Sequence, residues 1–561
     1  MLPQPLIINN WQQGMADSPY LGIGGFGLMK SVNIEEIPGS LKCSKAMRSL
    51  FHDTYTSVFT AVAATDICTS TATIPRTYTA VTLTTTGTLP AGLSTGTNYF
   101  IIKINATTFK LATTLANART GTQIDITDTG TGVHTITTVD PGTIRSIVKD
   151  VRINEYFAQD SNGRVWYGKT SAGSFQLLNG NTLTGSAGKG LVLLKPSSGD
   201  TLWLFVFRNA KIDVVNVYGD NEKEAPTWTN DWQTTTTPAG TGNSHYAIQG
   251  QDNIIYYCDT FNIGSIKETT GPLDPANAAT YSFNSSALDL PKQEIANWLE
   301  ELETNLLIAG NSFNKIYPWD RLSDTFSLPI VVPESSVKFI KNLGDKIYIL
   351  AGTRGNIYST QGVTATFERK IPEYASNNSE VLTDPIVTWG GIASKGNGII
   401  IGAGCSTTAS SGIWILYPDG RILKDNEPAS GATNATCLFA DSDYYLAGYA
   451  SGCDVVNAFD PTARVASYAS VVQSELYNVS TKTLKATYST LEVQLGKPAA
   501  SGNIRIGYRS DTSSAFTTLH TIACDGSTSY VQAIGLQNIE NIQIQVEMDG
   551  IPDLLQIRLL P

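Results

Sequence analysis

From about Ile147 to about Phe459 the chain repeats one pattern: an apolar run, a turn of Gly, Asn or Asp, then a second apolar run carrying an aromatic residue. The clearest copies are Asn305–Tyr317 (NLLIAGNSFNKIY), Lys346–Tyr358 (KIYILAGTRGNIY) and Gly398–Trp414 (GIIIGAGCSTTASSGIW). Glu155–Tyr167 (EYFAQDSNGRVWY) is a further copy, with Asp160, Asn162 and Gly163 forming the turn and Trp166 the aromatic. Thr201–Phe207, Ile254–Ile266 and Tyr444–Val455 extend the series. The starts fall about 40 to 55 residues apart, the length of one four-stranded unit. Such a unit cannot bury both of its faces alone, so units of this length stack radially and each covers the next. The pattern predicts an all-β fold, a β-propeller of about seven blades.

Three segments depart from the repeat. Residues 1–47 hold GIGGFG (Gly22–Gly27) and an Ile37-Pro-Gly39 step with little periodicity, and read as an extended N-terminal arm that packs on the body or on a neighbouring subunit. Residues 69–139 are Thr-rich; alternation in Tyr99–Ile104 and in Phe109–Ala112 with Asn105 and Thr107 between them predicts a hairpin, within a small β-module inserted into the propeller. The propeller then comprises residues 48–68 and 140–467, and deletion of Thr69–Val139 is expected to leave it folded. After about Tyr468 a new run of strands begins, at Thr490–Leu495, Ile504–Arg509, Tyr530–Ala533, Ile542–Val546 and Leu554–Leu559. Alternation places Ile542, Ile544 and Val546 on one face, so residues 468–561 read as a C-terminal β-sandwich. Short helices are expected only near Ser44–Phe51 and Pro291–Glu303, the latter because Trp298 and Leu302 are spaced i, i+4.

Charged residues make up only 16% of the 561, and net charge is -11. No cluster of Lys and Arg appears, which argues against a surface that grips nucleic acid. The N-terminus has neither a charged leader nor a long apolar run, so no secretory signal or membrane anchor is expected. The seven cysteines (Cys43, Cys68, Cys258, Cys405, Cys437, Cys453, Cys524) show no CxxC spacing and read as buried free thiols.

Catalytic signatures are sparse. His52, His134, His245 and His520 sit in unrelated segments without a metal-ligand spacing, and no nucleophile elbow, phosphate loop or dinucleotide fingerprint occurs; Gly22–Gly27 reads as flexible backbone. Glu300, Glu301 and Glu303 form one acidic cluster, and Asp441 with Asp443 another, both read as solvated faces rather than the carboxylate pair of a glycosidase. Trp228, Trp232 and Trp319 fall in turn-like segments, where exposed rings would stack on sugars and buried rings would pack blades. No catalytic, cofactor-binding or metal-binding residue is assigned.

Within the inserted module, LPAGL (Leu89–Leu93), TNYFII (Thr97–Ile102), FKLA (Phe109–Ala112) and GTGVHTI (Gly130–Ile136) resemble a module that recurs as an insertion or tandem unit in bacteriophage virion proteins. A propeller followed by a sandwich that ends in LLQIRLLP (Leu554–Pro561) resembles the tail-nozzle proteins of short-tailed phages. DSNGRVWYG (Asp160–Gly168) has a fainter resemblance to the Asp-box turn of sialidase propellers, with mismatched Ser/Thr positions and no recurrence. The phage resemblance implies a non-enzymatic virion protein of the tail, made in the host cytoplasm. It further implies a homo-oligomeric ring of about six subunits beneath a portal and adaptor, in contact with other tail proteins, with genomic DNA passing through the lumen during ejection without specific binding. A receptor- or glycan-binding tail protein, contacting the host surface, is the alternative, and a virion-associated glycosidase a further one.

Overall fold

The computed structural model describes residues 5–8, 30–32, 34–37, 40–45, 47–51, 54–171, 173–178, 188–209, 211–232, 245–344, 346–371, 385–396, 398–405, 411–426, 435–441, 444–457, 470–474, 476–480, 485–511, 514–550 and 552–561. The fold is all-β, and its main body is a β-propeller. Seven four-stranded sheets follow one another along the chain: residues 144–177, 188–232, 247–289, 296–331, 337–370, 385–426, and 437–457 with Arg48–Ser49 as the fourth strand.

Each repeat copy forms the central pair of strands in its sheet. Asn305–Gly310 pairs with Lys315–Trp319, Lys346–Ala351 with Asn356–Thr360, and Gly398–Cys405 with Gly412–Leu416, all antiparallel. These runs are apolar throughout because both faces are covered. The third blade makes this explicit. On its strand Ile255–Asp259, Ile255 and Tyr257 join Phe205, Phe207 and Trp232 of the second blade in one core. Tyr256 and Cys258, pointing the other way, join Leu306, Ile308, Tyr317 and Trp319 of the fourth. Full burial of each such side chain is worth about 1.5–3 kcal/mol, so stacking supplies what a single sheet lacks.

The chain divides into two compact units, residues 49–329 with 448–454, and residues 1–48 with 330–447 and 455–561. Within the first, the inserted module is a closed six-stranded barrel in the order Thr108–Ala112, Ile67–Ser70, Thr56–Val62, His134–Thr138, Ala80–Thr85, Tyr99–Lys103. Phe59, Val81, Leu83, Tyr99, Ile101 and Phe109 fill it. The hairpin expected around Asn105 and Thr107 forms, with Phe109 opposite Lys103. Asn105 Oδ1 accepts from the Thr107 and Thr108 amides, both at 2.9 Å.

The barrel begins at Tyr55 rather than at residue 69: the Tyr55 amide donates to Thr138 Oγ1 at 2.9 Å, and the Thr138 amide to the Tyr55 carbonyl at 2.9 Å. Of the described residues among 48–68, assigned to the propeller from sequence, only Arg48–Ser49 lie in a blade sheet. The alternation of Thr56–Val62 escapes notice because Val58 and Val62, on its outer face, are apolar but exposed.

Within the second unit, two sheets form the sandwich. One has the order Ile34–Ile37, Ser40–Cys43, Asp553–Leu560, Ala486–Leu495, Ser529–Ile539, with Leu6–Ile8 also on Asp553–Leu560. The other has Lys30–Val32, Ser470–Gln473, Asn541–Gly550, Gly502–Arg509, Thr517–Ala523, with Tyr477–Asn478 on Asn541–Gly550. The described strands of the expected N-terminal arm therefore pair within their own chain. Ile34, Leu41 and Cys43 are fully buried there, and the added strands cover sheet edges that would otherwise be open to foreign pairing. Ile542, Ile544 and Val546 face inward as their alternation requires. The Gly22–Gly27 segment lies outside the described residues.

Neither expected helix forms. Pro291–Glu303 contains the strand Ala296–Leu302, and Ser44–Phe51 the short strand Arg48–Ser49. The i, i+4 spacing of Trp298 and Leu302 is an even separation, which a strand face satisfies as well as a helix does. Ala296 to Leu299 are all buried, leaving no polar face for a helix to turn to water. Among the described residues the helices are α1 (Leu115–Thr120), α2 (Asp220–Glu224) and a short 3-10 turn at Ala278–Thr280, and no helix is long and apolar enough to cross a membrane.

Candidate functional site

The residues singled out from sequence do not converge. His134 is buried in the barrel wall, with Nδ1 2.9 Å from Thr85 Oγ1 and Nε2 3.1 Å from the Thr129 carbonyl. His245, fully buried, faces the Cys258 and Asn209 carbonyls at 2.9 and 2.6 Å. His520 sits on the strand Thr517–Ala523 opposite Ile506, and His52 lies outside the described residues. Among the described residues no group of three His, Cys, Asp or Glu side chains is placed to hold a metal.

The acidic clusters are likewise structural. Glu301 accepts from the Gln251 amide at 2.9 Å and pairs with Arg321 at 2.7 Å. Glu300 follows Leu299 on the same strand, and Glu303 lies in the turn after it with a left-handed φ of 49°. Asp441 Oδ1 accepts from the Tyr444 amide at 2.8 Å in a hairpin turn; Asp443 lies outside the described residues. Trp232 and Trp319 are buried blade residues whose indole N–H groups donate to the Pro275 and Ser323 carbonyls, while Trp228 is half-buried. Six cysteines are free and buried, and Cys405 is not among the described side chains. Burial pushes the Cys68 thiol up to about 12.

Buried carboxylates carry the blade architecture; sequence reasoning placed Asp160 in its turn but missed Glu294 and Glu334. Asp160 Oδ1 accepts from the Asn162 and Arg164 amides, and its Oδ2 from Arg164 Nε at 2.8 Å and Trp166 Nε1 at 3.2 Å, so the Asp160–Gly168 turn is braced from within. Glu294, fully buried, accepts from Tyr317 Oη at 2.8 Å and from the Ser312 amide at 2.9 Å. In the next blade Glu334 accepts from Asn356 Nδ2 at 2.9 Å, and burial with the Glu334 charge pushes Tyr358 up to about 12. A Cβ on Gly310 would lie 2.3 Å from the Glu294 carboxyl carbon, and one on Gly352 2.3 Å from Glu334 Oε2. These two blades thus each join a Glu, a Gly at the end of the first central strand and the Tyr of the second. The signal was present in sequence, since Glu294 and Glu334 precede Tyr317 and Tyr358 by nearly equal intervals.

In the sixth blade Asp425 is buried and accepts from Ser44 Oγ (3.2 Å), Lys395 Nζ (2.9 Å) and Tyr445 Oη (2.7 Å). Burial opposes its ionisation, but the Lys395 charge and these donors outweigh it and hold the carboxyl below its ordinary value.

An open groove of about 590 Å³ lies on the barrel module. Its walls come from three elements: the turn 76–78 leading into Ala80–Thr85, the end of Tyr99–Lys103, and the C-terminal end of α1. Thr114 caps α1 by accepting from the Asn117 amide at 3.0 Å, and Gly121 ends it with a left-handed φ of 76°. Arg119 is thereby placed over the Tyr78 ring, 5.9 Å from its centroid, and paired with Glu224 of α2. Lys103 Nζ donates to the Ile74 carbonyl at 2.9 Å. Among the described residues Arg76 has no hydrogen-bond or ion-pair partner, and partial burial alone lowers its pKa. Sequence reasoning did not group these residues because they come from separate elements.

No protein-family model matches the chain, and no curated protein matches it by sequence. Solved structures that match include the computationally designed Ika8 protein (TM-score 0.33, 10% identity, 56% of this chain and 96% of that one). U3-55K matches with TM-score 0.40 and 11% identity over 56% of this chain and 95% of that one. The WD40 β-propeller domain of Doa1 matches with TM-score 0.39 and 12% identity over 57% of this chain and 95% of that one.

Proposed function

We propose that the chain is a non-enzymatic structural protein of a bacteriophage tail, a nozzle or hub ring that forms part of the channel for DNA ejection and a platform for other tail proteins. The observation that carries this reading is the inserted module. Its four marks, LPAGL, TNYFII, FKLA and GTGVHTI, which resemble a unit of phage virion proteins, fall together in one closed barrel inserted in a propeller. TNYFII and FKLA supply the paired strands Tyr99–Lys103 and Thr108–Ala112, and GTGVHTI leads into His134–Thr138.

A nozzle acts by geometry and charge. Double-stranded DNA is densely anionic, so a cationic wall would hold it by counterion release, whereas an acidic or neutral wall lets it slide. The net charge of -11 agrees with the second case. By the resemblance, about six identical subunits close the ring beneath a portal and adaptor in the virion.

Quantitative mass spectrometry of purified particles tests this. Several copies per particle in fixed ratio to the portal protein are expected. Absence from the particle, or release of reducing ends from host polysaccharide by the purified chain, overturns the reading.

A further inference from the structure

We propose that the groove on the barrel module, lined by Arg76, Tyr78, Lys103 and Arg119, is a binding site for a carboxylate-bearing saccharide. The first ground is charge. Three cations line the groove and none of its lining residues is acidic, on a chain whose net charge is -11. Glu224 neutralises Arg119 in part, but Arg76 has no such partner among the described residues, and Lys103 engages a neutral carbonyl. A planar guanidinium fork matches a carboxylate geometrically as well as electrostatically.

The second ground is strain. Tyr78 holds a φ of 71°, a left-handed conformation that is an outlier for a bulky aromatic. Its amide donates to the Ile101 carbonyl at 2.7 Å, and this fixes the ring at the groove wall. Tyr78 stands in the groove wall among Arg76, Lys103 and Arg119, so the lining joins an aromatic ring for a sugar with charge for its carboxylate.

The volume lies within the roughly 300–1,000 Å³ typical of ligand sites, and its openness suits a segment of a longer polymer. The proposal stands whether or not the chain is a tail component.

Calorimetric titration of the full chain with hexagalacturonate tests it, alongside maltohexaose, sulfate and a single-stranded oligonucleotide. Saturable binding of hexagalacturonate is expected, weakened at least tenfold by Arg76→Gln and by Lys103→Gln with unchanged melting temperatures, and absent for maltohexaose. Lack of saturation at millimolar hexagalacturonate, or binding by either variant as tight as the parent's, overturns it. So does tighter binding of sulfate or of the oligonucleotide, which would assign the groove to a small anion or a nucleic acid.

Discussion

Removing the Glu294 carboxylate tests whether the buried Glu–Tyr contact stabilises the blade. Glu294 is fully buried and accepts from Tyr317 Oη at 2.8 Å, the Ser312 amide at 2.9 Å, the Ile295 amide at 3.2 Å and the Phe313 amide at 3.4 Å. In Glu294→Ala the buried Tyr317 hydroxyl loses its acceptor, at a cost of about 1–3 kcal/mol, and the Ser312 amide adds about 1 kcal/mol more. The two longer contacts add little, and relief of the buried charge offsets part of the loss. The net expectation is destabilisation of about 3 kcal/mol, with Glu294→Gln, which keeps an acceptor, losing about 1 kcal/mol. Urea unfolding followed by tryptophan fluorescence reads this locally, because Trp298 and Trp319 are buried in the same blade. A cycle with Tyr317→Phe isolates the contact and should return a coupling of about 1–2 kcal/mol. Additivity within about 0.5 kcal/mol would refute the reasoning, as would a Glu294→Ala protein as stable as the parent. Gly310→Ala offers an independent check. Its methyl would collide with the carboxylate, so it should be markedly less harmful in the Glu294→Ala background.

Three further outcomes follow from the same geometry. Deleting residues 55–139 should leave cooperative unfolding of the remainder, whereas deleting 69–139 strands Thr56–Val62 and cuts through Ile67–Ser70, and should give an aggregating product by light scattering. Asp425 is held below its ordinary 3.8 in the folded chain, so its contribution is present above that value and is lost as pH falls through the lower folded value; urea midpoints measured from neutral to acid pH should fall less steeply for Asp425→Asn than for the parent. Burial that pushes Cys68 up to about 12 predicts no alkylation by iodoacetamide at neutral pH in the folded chain and full alkylation in urea, read by mass spectrometry of the Cys68 peptide.

The blades were legible in sequence because their central strands are covered on both faces, and runs such as Asn305–Gly310 and Lys346–Ala351 therefore stay apolar without interruption. Periodicity also gave the barrel hairpin and the alternation of Asn541–Gly550. It failed where a residue's role depends on distant partners. The strands of residues 6–43 are short, and all but Ile34–Ile37, which pairs with Ser40–Cys43, pair with segments hundreds of positions away, as Leu6 does with Leu559, so little local pattern announces them. Trp298 and Leu302 satisfied two periods at once, and only the burial of the whole run decided between them. The braces at Glu294 and Asp425 read locally as ordinary polar residues, since their partners lie on other strands. The groove had no signal at all, because Arg76, Lys103 and Arg119 are brought together only by closure of the barrel and the capping of α1.

Immunogold electron microscopy of intact phage particles carrying this chain, with antibody raised against the propeller, tests the tail assignment most directly. Gold confined to the tail is the predicted result. Gold on the capsid, or on no particle, would contradict the account.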